Sequence, residues 1–247
     1  MMTKDNFINT LKEEALKINI NLDEYKLNQF YEYKNLLLEW NEKMNLTAIT
    51  QDYEIIIKHF IDCLQCVNYI KIDEKNIKKI IDIGTGAGFP GIVISIYFGN
   101  LINITLMDGL KKRLFFLEEV KNKLQLKNIN IIHKRAEDGA HENLFREKYD
   151  YIVARAVSSL NILLECTIPY LKSGGKGIYL KGDNIYDEIN QSKNAFNILK
   201  CESKKIYSYS LDLKSEKFIR NILIINKISE TNKKYPRIYG KIKKSPL

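Results

Sequence analysis

The sequence predicts an α/β fold built on a doubly wound, mostly parallel sheet of seven strands, preceded by a helical extension. From Lys78 onward, short apolar runs alternate with segments of helical periodicity, a pattern typical of parallel strands joined by helices. After about residue 200, two strand-like segments follow each other directly. We therefore predict a terminal hairpin that places one antiparallel strand near the C-terminus.

The first 75 residues are predicted to be helical. Residues 6–17 and 23–43 carry apolar side chains at helical spacing, and Asp52 is a candidate N-cap for a third helix that runs to about Tyr69. On that helix His59 and Asp62 are one turn apart, and a packed pair is a more common role for them than chemistry. Because no low-complexity linker follows, we expect the extension 1–75 to pack directly on a domain formed by residues 76–247.

The second part of the chain supplies the sheet and its helices. We predict strands near residues 79–83, 103–108, 129–133, 150–154, 176–181, 205–210 and 218–227. Helices are predicted near residues 89–98, 111–125, 139–146, 159–171 and 186–199.

Composition excludes several classes of protein. No apolar run in the 247 residues approaches the roughly 20 that a membrane helix needs, and the N-terminus lacks the apolar stretch of a signal peptide. The four cysteines have no regular spacing, which predicts reduced thiols in a cytoplasmic protein. Cys63 and Cys66 share one predicted helix without a second pair, so we predict no metal site. We expect a monomer without membrane association.

Basic residues are concentrated at the C-terminus. Lys and Arg number 39 against 30 Asp and Glu, a net charge of +9. Between Cys201 and Leu247 there are 12 basic and 4 acidic residues, a net charge of +8. This asymmetry favours a polyanionic partner, with nucleic acid as the leading candidate.

The most informative segment is 79–91, in which an apolar strand is followed by glycines at alternate positions and then by the start of a helix. Glycine has no Cβ, so the backbone can adopt positive φ and a ligand can lie against it. Gly86, Gly88 and Gly91 match the G-x-G-x-x-G pattern of dinucleotide-binding proteins, in which a pyrophosphate lies at the helix N-terminus. Such a match is weak evidence when it stands alone. A glycine turn that binds no ligand is an alternative interpretation of the segment.

The acid at the end of this strand favours a different cofactor. Asp82 precedes Gly84 by two residues, where a carboxylate would repel a pyrophosphate and suit a ligand that carries positive charge. S-adenosyl-L-methionine carries a sulfonium and an ammonium group and has no phosphate. The order of residues from Asp82 to Gly88 is similar to the first motif of Rossmann-like methyltransferases. We therefore predict S-adenosyl-L-methionine rather than a dinucleotide.

Residues at the ends of the other strands are expected to complete the site, because ligands of doubly wound sheets lie beyond the carboxyl ends of the strands. Asp108 follows Gly84 by 24 positions, the expected place for a carboxylate that binds ribose hydroxyls, although it could also cap a helix. Residues 134–138 could read the adenine edge through a backbone amide and a carboxylate. We expect Arg155 to point at the same edge and to have a partner, since a buried arginine is rarely unpaired.

Several of these segments together resemble the glucose-inhibited division protein B family, whose members are class I, Rossmann-like methyltransferases of small-subunit ribosomal RNA. The resemblance covers about residues 30–247 and rests on Gly84–Gly91, Asp108 with Lys112 and Arg113, Arg135–Glu137, Arg155–Val157, Lys181–Gly182, Trp40–Thr47, His59–Asp62, Lys234–Arg237, Gly240 and Pro246–Leu247. Two departures are Gly109 and Cys63, where the family pattern has serine.

The resemblance implies both a site and a substrate. The predicted cofactor-binding residues are Asp82, Gly84, Gly86, Gly88, Phe89, Asp108, Ala136, Glu137 and Arg155. The implied reaction methylates N7 of a guanine, position 527 in conventional numbering, in 16S ribosomal RNA within the small ribosomal subunit or an assembly intermediate.

The implied reaction needs no dedicated catalytic residue. Guanine N7 has an exposed lone pair and no proton, so positioning can supply most of the rate. Cytosine-C5 transfer would use a cysteine, typically after proline, and none of the four cysteines follows a proline. A methyltransferase for a small molecule or a protein, and a non-enzymatic RNA-binding protein with this fold, stay open as alternatives.

RNA binding is assigned to basic residues of the tail and beside the site, with aromatic residues between them. A solvated, frayed terminus is the alternative for the tail. The predicted RNA-binding residues are Lys181, Arg220, Lys233, Lys234, Arg237, Lys243 and Lys244.

Overall fold

A seven-stranded sheet with the order β3-β2-β1-β4-β5-β7-β6 forms the centre of the protein. The computed structural model describes residues 2–155, 158–213 and 216–247. Ala156 and Val157, which belong to the family-like segment after Arg155, lie outside the described residues. The strands are β1 (Lys78–Ile83), β2 (Ile102–Asp108), β3 (Ile129–His133), β4 (Tyr149–Arg155), β5 (Leu171–Lys181), β6 (Cys201–Leu213) and β7 (Glu216–Lys227).

The pairing of the strands confirms the predicted doubly wound sheet. Strands β1 to β5 pair in parallel, β7 pairs antiparallel with β5, and β6 pairs antiparallel with β7. The strand order therefore reverses between β1 and β4, which opens a crevice beyond their carboxyl ends. The sheet is Rossmann-like, with β7 as the predicted antiparallel strand.

Helices cover the sheet and form the N-terminal extension. The α-helices are α1 (Lys4–Lys17), α2 (Glu24–Met44), α3 (Asp52–Glu54), α4 (Asp62–Leu64), α5 (Gly91–Phe98), α6 (Lys111–Lys123), α7 (Ala136–Gly139), α8 (Leu160–Thr167), α9 (Ile185–Gln191), α10 (Lys193–Leu199) and α11 (Tyr239–Lys244). A π-helix (Ile55–Ile61) joins α3 to α4, and 3₁₀ turns occupy Gln65–Tyr69, Gly99–Leu101 and Ile168–Tyr170.

Three local predictions are wrong. The helix expected at 139–146 is instead the short α7, which begins directly after the extended residue Arg135. The helix expected at 186–199 is divided at Ser192, whose hydroxyl donates to the Glu188 carbonyl at 2.7 Å and so competes with the helical backbone. Asp52 does not cap its helix: its carboxylate lies 3.6 Å from the buried Lys34 ammonium.

The N-terminal helices pack on one face of the sheet through a shared apolar core. Phe30 and Phe60 of the extension, which are fully buried, have ring centroids 4.9 Å apart. The ring of Tyr33 lies 5.3 Å from that of Phe89, which follows β1. The four cysteines are free and buried, and burial raises the pKa of the Cys63 thiol. Within the described ranges no helix is long and apolar enough to cross a membrane.

Candidate active site

The loop after β1 forms the floor of the site. Gly84, Gly86 and Gly88 have φ angles of 71°, 60° and 93°, a region that favours glycine. A Cβ on Gly88 would also lie 2.8 Å from the Tyr33 hydroxyl, so the loop approaches the N-terminal extension closely. The Gly84 N–H donates to the carbonyl of Met107 at 2.9 Å, which ties the loop to the end of β2.

Asp82 lies beneath this loop and supports it. Its Oδ2 accepts hydrogen bonds from the Thr85 hydroxyl at 2.7 Å and from the Gly91 N–H at 2.8 Å. Its Oδ1 is buried without a partner among the described residues, and burial raises the pKa of Asp82 to about 7. Asp82 lines neither of the two cavities at the loop, so the structure places it as a brace behind the predicted ligand site.

The first cavity, of about 270 Å³, lies beyond the carboxyl ends of β1, β2 and β3. It contains four of the predicted cofactor residues: Gly84, Asp108, Ala136 and Glu137. The remaining wall is mostly apolar and includes Ile83, Met107, Leu110, Ile162, Leu163, Cys166 and Tyr239. A flat aromatic ring with a polar sugar would suit such a cavity.

Asp108 presents a fixed carboxylate to this cavity. Its Oδ2 accepts from the Gly86 N–H at 3.0 Å and from the Arg113 guanidinium at 3.3 Å, and its Oδ1 accepts from the Leu110 N–H at 2.8 Å. The residue is only 4% exposed. Because a carboxylate has about four acceptor positions, Asp108 can accept a further hydroxyl group from a ligand.

Ala136 and Glu137 form the far side of the first cavity at the start of α7. The Tyr170 hydroxyl donates to the Ala136 carbonyl at 2.6 Å, which fixes the backbone beside the cavity. The Glu137 carboxylate is buried, and its Oε1 lies 3.9 Å from Arg135. The structure thus brings together the strand-end residues that the sequence predicted around a ligand.

Sequence reasoning missed the apolar roof of the first cavity. Ile162, Leu163 and Cys166 approach from α8, and Tyr239 approaches from the C-terminal helix α11. The positions in α8 follow helical spacing, but that pattern does not distinguish a cavity wall from ordinary core. The sequence predicts that the aromatic residues of the tail, Tyr239 among them, stack on RNA, and it gives no sign that Tyr239 lines this cavity.

The second cavity, of about 420 Å³, shares Gly84 with the first and lies between the loop and the N-terminal extension. Predicted residues Gly86, Phe89, Arg155, Lys181 and Arg220 line it. Among the described residues its charged lining is predominantly cationic, with Lys58, Arg113, Arg155, Lys181 and Arg220 against Asp62 and Glu188. Such a lining favours an anionic ligand.

Arg155 occupies a different place from the one predicted. It lines the second cavity and not the first, so it does not lie beside Glu137 at the expected adenine edge. Its guanidinium donates to the Lys58 carbonyl at 2.8 Å and to Asp62 at 3.2 Å, and its carbon atom lies 4.8 Å from the Phe89 ring centroid. The expectation that Arg155 has a partner is met by the N-terminal extension, which the strand-end rule could not reveal.

His59 completes this arrangement. Its ring stacks on Phe89 with centroids 4.5 Å apart, and its Nδ1 lies 3.1 Å from Arg155. Burial, with the nearby guanidinium as a second cause, lowers the pKa of His59 to about 3, so the ring is neutral. His59 and Asp62 are both buried, but each is bonded to Arg155 rather than to the other, and together they hold Arg155 at the edge of the cavity.

The predicted RNA-binding residues fall into three groups. The first group lies at the second cavity. Lys181 is only 8% exposed, and its ammonium lies 2.6 Å from the Glu188 carboxylate. Arg220 lines the same cavity, and its Nε is buried and has no hydrogen-bond partner among the described residues. Arg237 binds Glu165, which is 0% exposed, at 2.6 Å and 2.8 Å, so Arg237 anchors the tail. The side chains that face solvent are Lys233, Lys234, Lys243 and Lys244.

Comparison with known sequences gives one consistent family. Residues 26–219 match the family model described as GidB, rRNA small subunit methyltransferase G. The chain is 43% identical over 237 residues to the ribosomal RNA small subunit methyltransferase G of Alkaliphilus metalliredigens, an alignment that covers 96% of this chain and 97% of that protein. The protein of the same name from Clostridium perfringens strain SM101 is 45% identical over 242 residues, covering 98% and 99%.

Solved structures with little sequence similarity share the fold. The protein PH0793 from Pyrococcus horikoshii superposes with a TM-score of 0.53 at 12% identity, covering 67% of this chain and 62% of that one. Precorrin-6y C5,15-methyltransferase from Geobacter metallireducens gives a TM-score of 0.50 at 14% identity, covering 68% and 86%. At these identities the likeness concerns the Rossmann-like fold alone.

Proposed function

Because this chain belongs to the rRNA small subunit methyltransferase G family, we propose that it transfers a methyl group from S-adenosyl-L-methionine to N7 of guanine 527 in 16S ribosomal RNA. The observation that carries the proposal is the meeting of two chemically different cavities at Gly84. One cavity suits an adenosine, and the other is cationic and suits a nucleotide of the RNA.

The residues of the first cavity fit the adenosine of the cofactor. The buried carboxylate of Asp108 would accept a ribose hydroxyl, and the apolar walls from β1, β2 and α8 would enclose the adenine. The backbone of Gly84 offers close approach between this cavity and the next. When bound, S-adenosyl-L-methionine supplies an electrophilic methyl group on a sulfonium sulfur.

The second cavity would hold the target guanine beside Phe89 and Arg155. Each candidate base that lines the described part of this cavity is already engaged: His59 with Arg155 and Thr47, Asp62 with Arg155 and Tyr209, and Glu188 with Lys181 and the Leu160 N–H. Guanine N7 needs no proton removed, so it can react where no free base is present. An exocyclic amine would have to lose a proton after transfer.

The cationic groups would neutralise the RNA backbone. Arg220 lines the second cavity, and the exposed lysines of the tail lie on the segment that contributes Tyr239 to the first cavity. Phosphate contacts from these residues would orient the RNA, so that the reacting atoms are held in line and the transfer becomes effectively unimolecular.

Transfer of labelled methyl groups by the purified protein tests this function. We expect incorporation into 16S ribosomal RNA or small ribosomal subunits that lack the modification, and none into RNA that already carries it. Calorimetric titration with S-adenosyl-L-methionine should show binding at one site. A protein that binds the RNA tightly but neither binds the cofactor nor transfers the label would be a non-enzymatic binding protein, and the proposal would be rejected.

A further inference from the structure

Thr47 is one of the residues that line the second cavity, in the segment between α2 and α3. The backbone of Thr47 is held in place by the Asn41 side chain, because the Thr47 N–H donates to Asn41 Oδ1 at 2.8 Å. Its Oγ1 lies 2.9 Å from His59 Nε2 and accepts a hydrogen bond from the Ile49 N–H at 3.0 Å. The side chain is half-buried, and Thr47 shares this lining with His59, to which its hydroxyl is hydrogen-bonded.

The hydrogen bonds of His59 determine what Thr47 can do. A guanidinium has donors only, so Arg155 must donate to Nδ1 of His59, and Nδ1 of that ring is therefore the unprotonated nitrogen. In the neutral ring the proton then lies on Nε2, which donates to Thr47 Oγ1. With the Ile49 N–H, both lone pairs of the hydroxyl are occupied, and its own proton has no acceptor in the described part of the chain.

We propose that Thr47 is a specificity residue whose hydroxyl proton is donated to O6 of the target guanine. The proposal rests on the function proposed above, because it concerns the base that enters the second cavity. Guanine presents N7 and O6 side by side, and both are acceptors, whereas adenine presents N7 beside an amino group that donates.

This arrangement would reject adenine. The amino group of adenine would face a hydroxyl whose lone pairs are already filled by His59 and Ile49, so neither group would have a partner. A buried donor left without an acceptor costs about 1–3 kcal/mol. The hydrogen bonds from Arg155 to His59 and from His59 to Thr47 would therefore make the Thr47 hydroxyl a donor to the base edge. The first of these bonds also holds Arg155 beside Phe89.

The experiment pairs a change in the protein with the removal of O6 from the substrate base. The RNA carries at the target position either guanine or 2-aminopurine, which keeps N7 and the 2-amino group but lacks O6 and the N1 proton. Wild type is compared with Thr47→Val, which keeps the shape of the side chain, and with Thr47→Ser, which keeps the hydroxyl. The readouts are kcat/KM for methyl transfer and the Kd for RNA without cofactor.

If Thr47 donates to O6, the two changes remove the same hydrogen bond. Thr47→Val should lower kcat/KM on the guanine RNA by about 10- to 100-fold but lower it less than about 3-fold on the 2-aminopurine RNA. In Thr47→Val, the Kd for RNA should likewise rise more for the guanine RNA than for the 2-aminopurine RNA. Thr47→Ser should stay close to wild type on both RNAs. If Thr47→Val does not fold, Thr47→Cys, a weaker donor of similar size, should show the same pattern with smaller losses.

Equal fold-losses of the valine variant on both RNAs would overturn the proposal. In that case Thr47 either contacts a phosphate, with a loss that depends on salt, or only stabilises the segment between α2 and α3. A wild-type protein that does not methylate guanine RNA would contradict the proposed function itself, so the two failures are distinguishable.

Discussion

The guanidinium of Arg155 donates a hydrogen bond to Nδ1 of His59, 3.1 Å away, and so connects the end of β4 to the N-terminal extension. The same guanidinium binds Asp62, whose other carboxylate oxygen accepts from Tyr209 of β6 at 2.7 Å. The extension, the parallel strands and the terminal hairpin therefore meet at one charged group. This relationship explains why the second cavity has one wall from each part of the chain.

His59 should make stability depend on pH. Its pKa is about 3 in the folded protein, against an ordinary value of 6.5, so between these values the unfolded chain binds a proton that the folded chain does not. The stabilisation is complete above pH 6.5 and is lost as the pH falls towards 3. Between pH 7 and pH 5 we expect wild type to lose about 2 kcal/mol more than His59→Gln, measured as the free energy of unfolding in denaturant.

Comparison with the variant is necessary because Asp82 acts in the opposite direction. Its pKa is raised from 3.8 to about 7, so its contribution is present at low pH and is lost as the pH rises through 7. Both proteins contain Asp82, so the difference between their profiles isolates His59. Parallel profiles for wild type and His59→Gln would show that the imidazole does not titrate as expected.

Asp108→Ala should greatly weaken the binding of S-adenosyl-L-methionine. The substitution removes the buried acceptor from the first cavity and leaves the Gly86 N–H and Leu110 N–H without their partner. We expect at least about a 100-fold rise in the Kd by calorimetry, since an uncharged loop must now bind the ribose. Asp138→Ala, which removes an exposed acid from α7, is the control and should bind normally. Retained affinity in Asp108→Ala would reject the ribose role.

Arg237 is expected to act on stability rather than on phosphate contacts. Arg237→Ala would leave the fully buried Glu165 carboxylate without its cation, which should cost about 3 kcal/mol in the free energy of unfolding. Removal of the exposed Lys243 in Lys243→Ala should change that quantity by less than about 0.5 kcal/mol. Similar unfolding curves for the two variants would contradict the anchoring role of Arg237.

The exposed lysines of the tail are expected to bind the RNA backbone. The double variant Lys243→Ala, Lys244→Ala should weaken RNA binding and reduce the slope of log K against log salt by about 1.5, since each lost phosphate contact accounts for about 0.7–0.9. The double variant Lys71→Ala, Lys75→Ala removes the same charge from exposed positions that precede β1, on the amino-terminal side of that strand and not at its carboxyl end. An equal change of slope in both variants would show that only net charge matters.

The sequence predicted the sheet and part of the site because those features depend on short-range patterns. Apolar runs and glycines identified β1 and its loop, and the rule that ligands lie at strand ends identified Asp108 and Glu137. The boundary at residues 75 and 76 stays a prediction. Helix ends near Ser192 and Gly139 were missed because single hydrogen bonds and turns decide them.

Other features depend on contacts between distant parts of the chain, which periodicity does not encode. Arg155 was expected in the adenine site, but its partner Asp62 lies 93 positions earlier and holds it in the second cavity. Arg237 belongs to a basic segment, and only the fold reveals that Glu165 is buried beneath it, 72 positions away. Thr47 belongs to a family-like segment, but the sequence gives no sign of its role, because its free hydroxyl proton depends on the hydrogen bonds of the His59 ring.

The central claim is tested most directly by mapping N7-methylguanine in 16S ribosomal RNA from cells with and without this protein. We expect a single methylated guanine, at position 527, that disappears when the protein is absent and returns with the wild-type chain but not with Asp108→Ala. A position 527 that stays methylated in the absence of the protein, or the loss of a different modification, would contradict it.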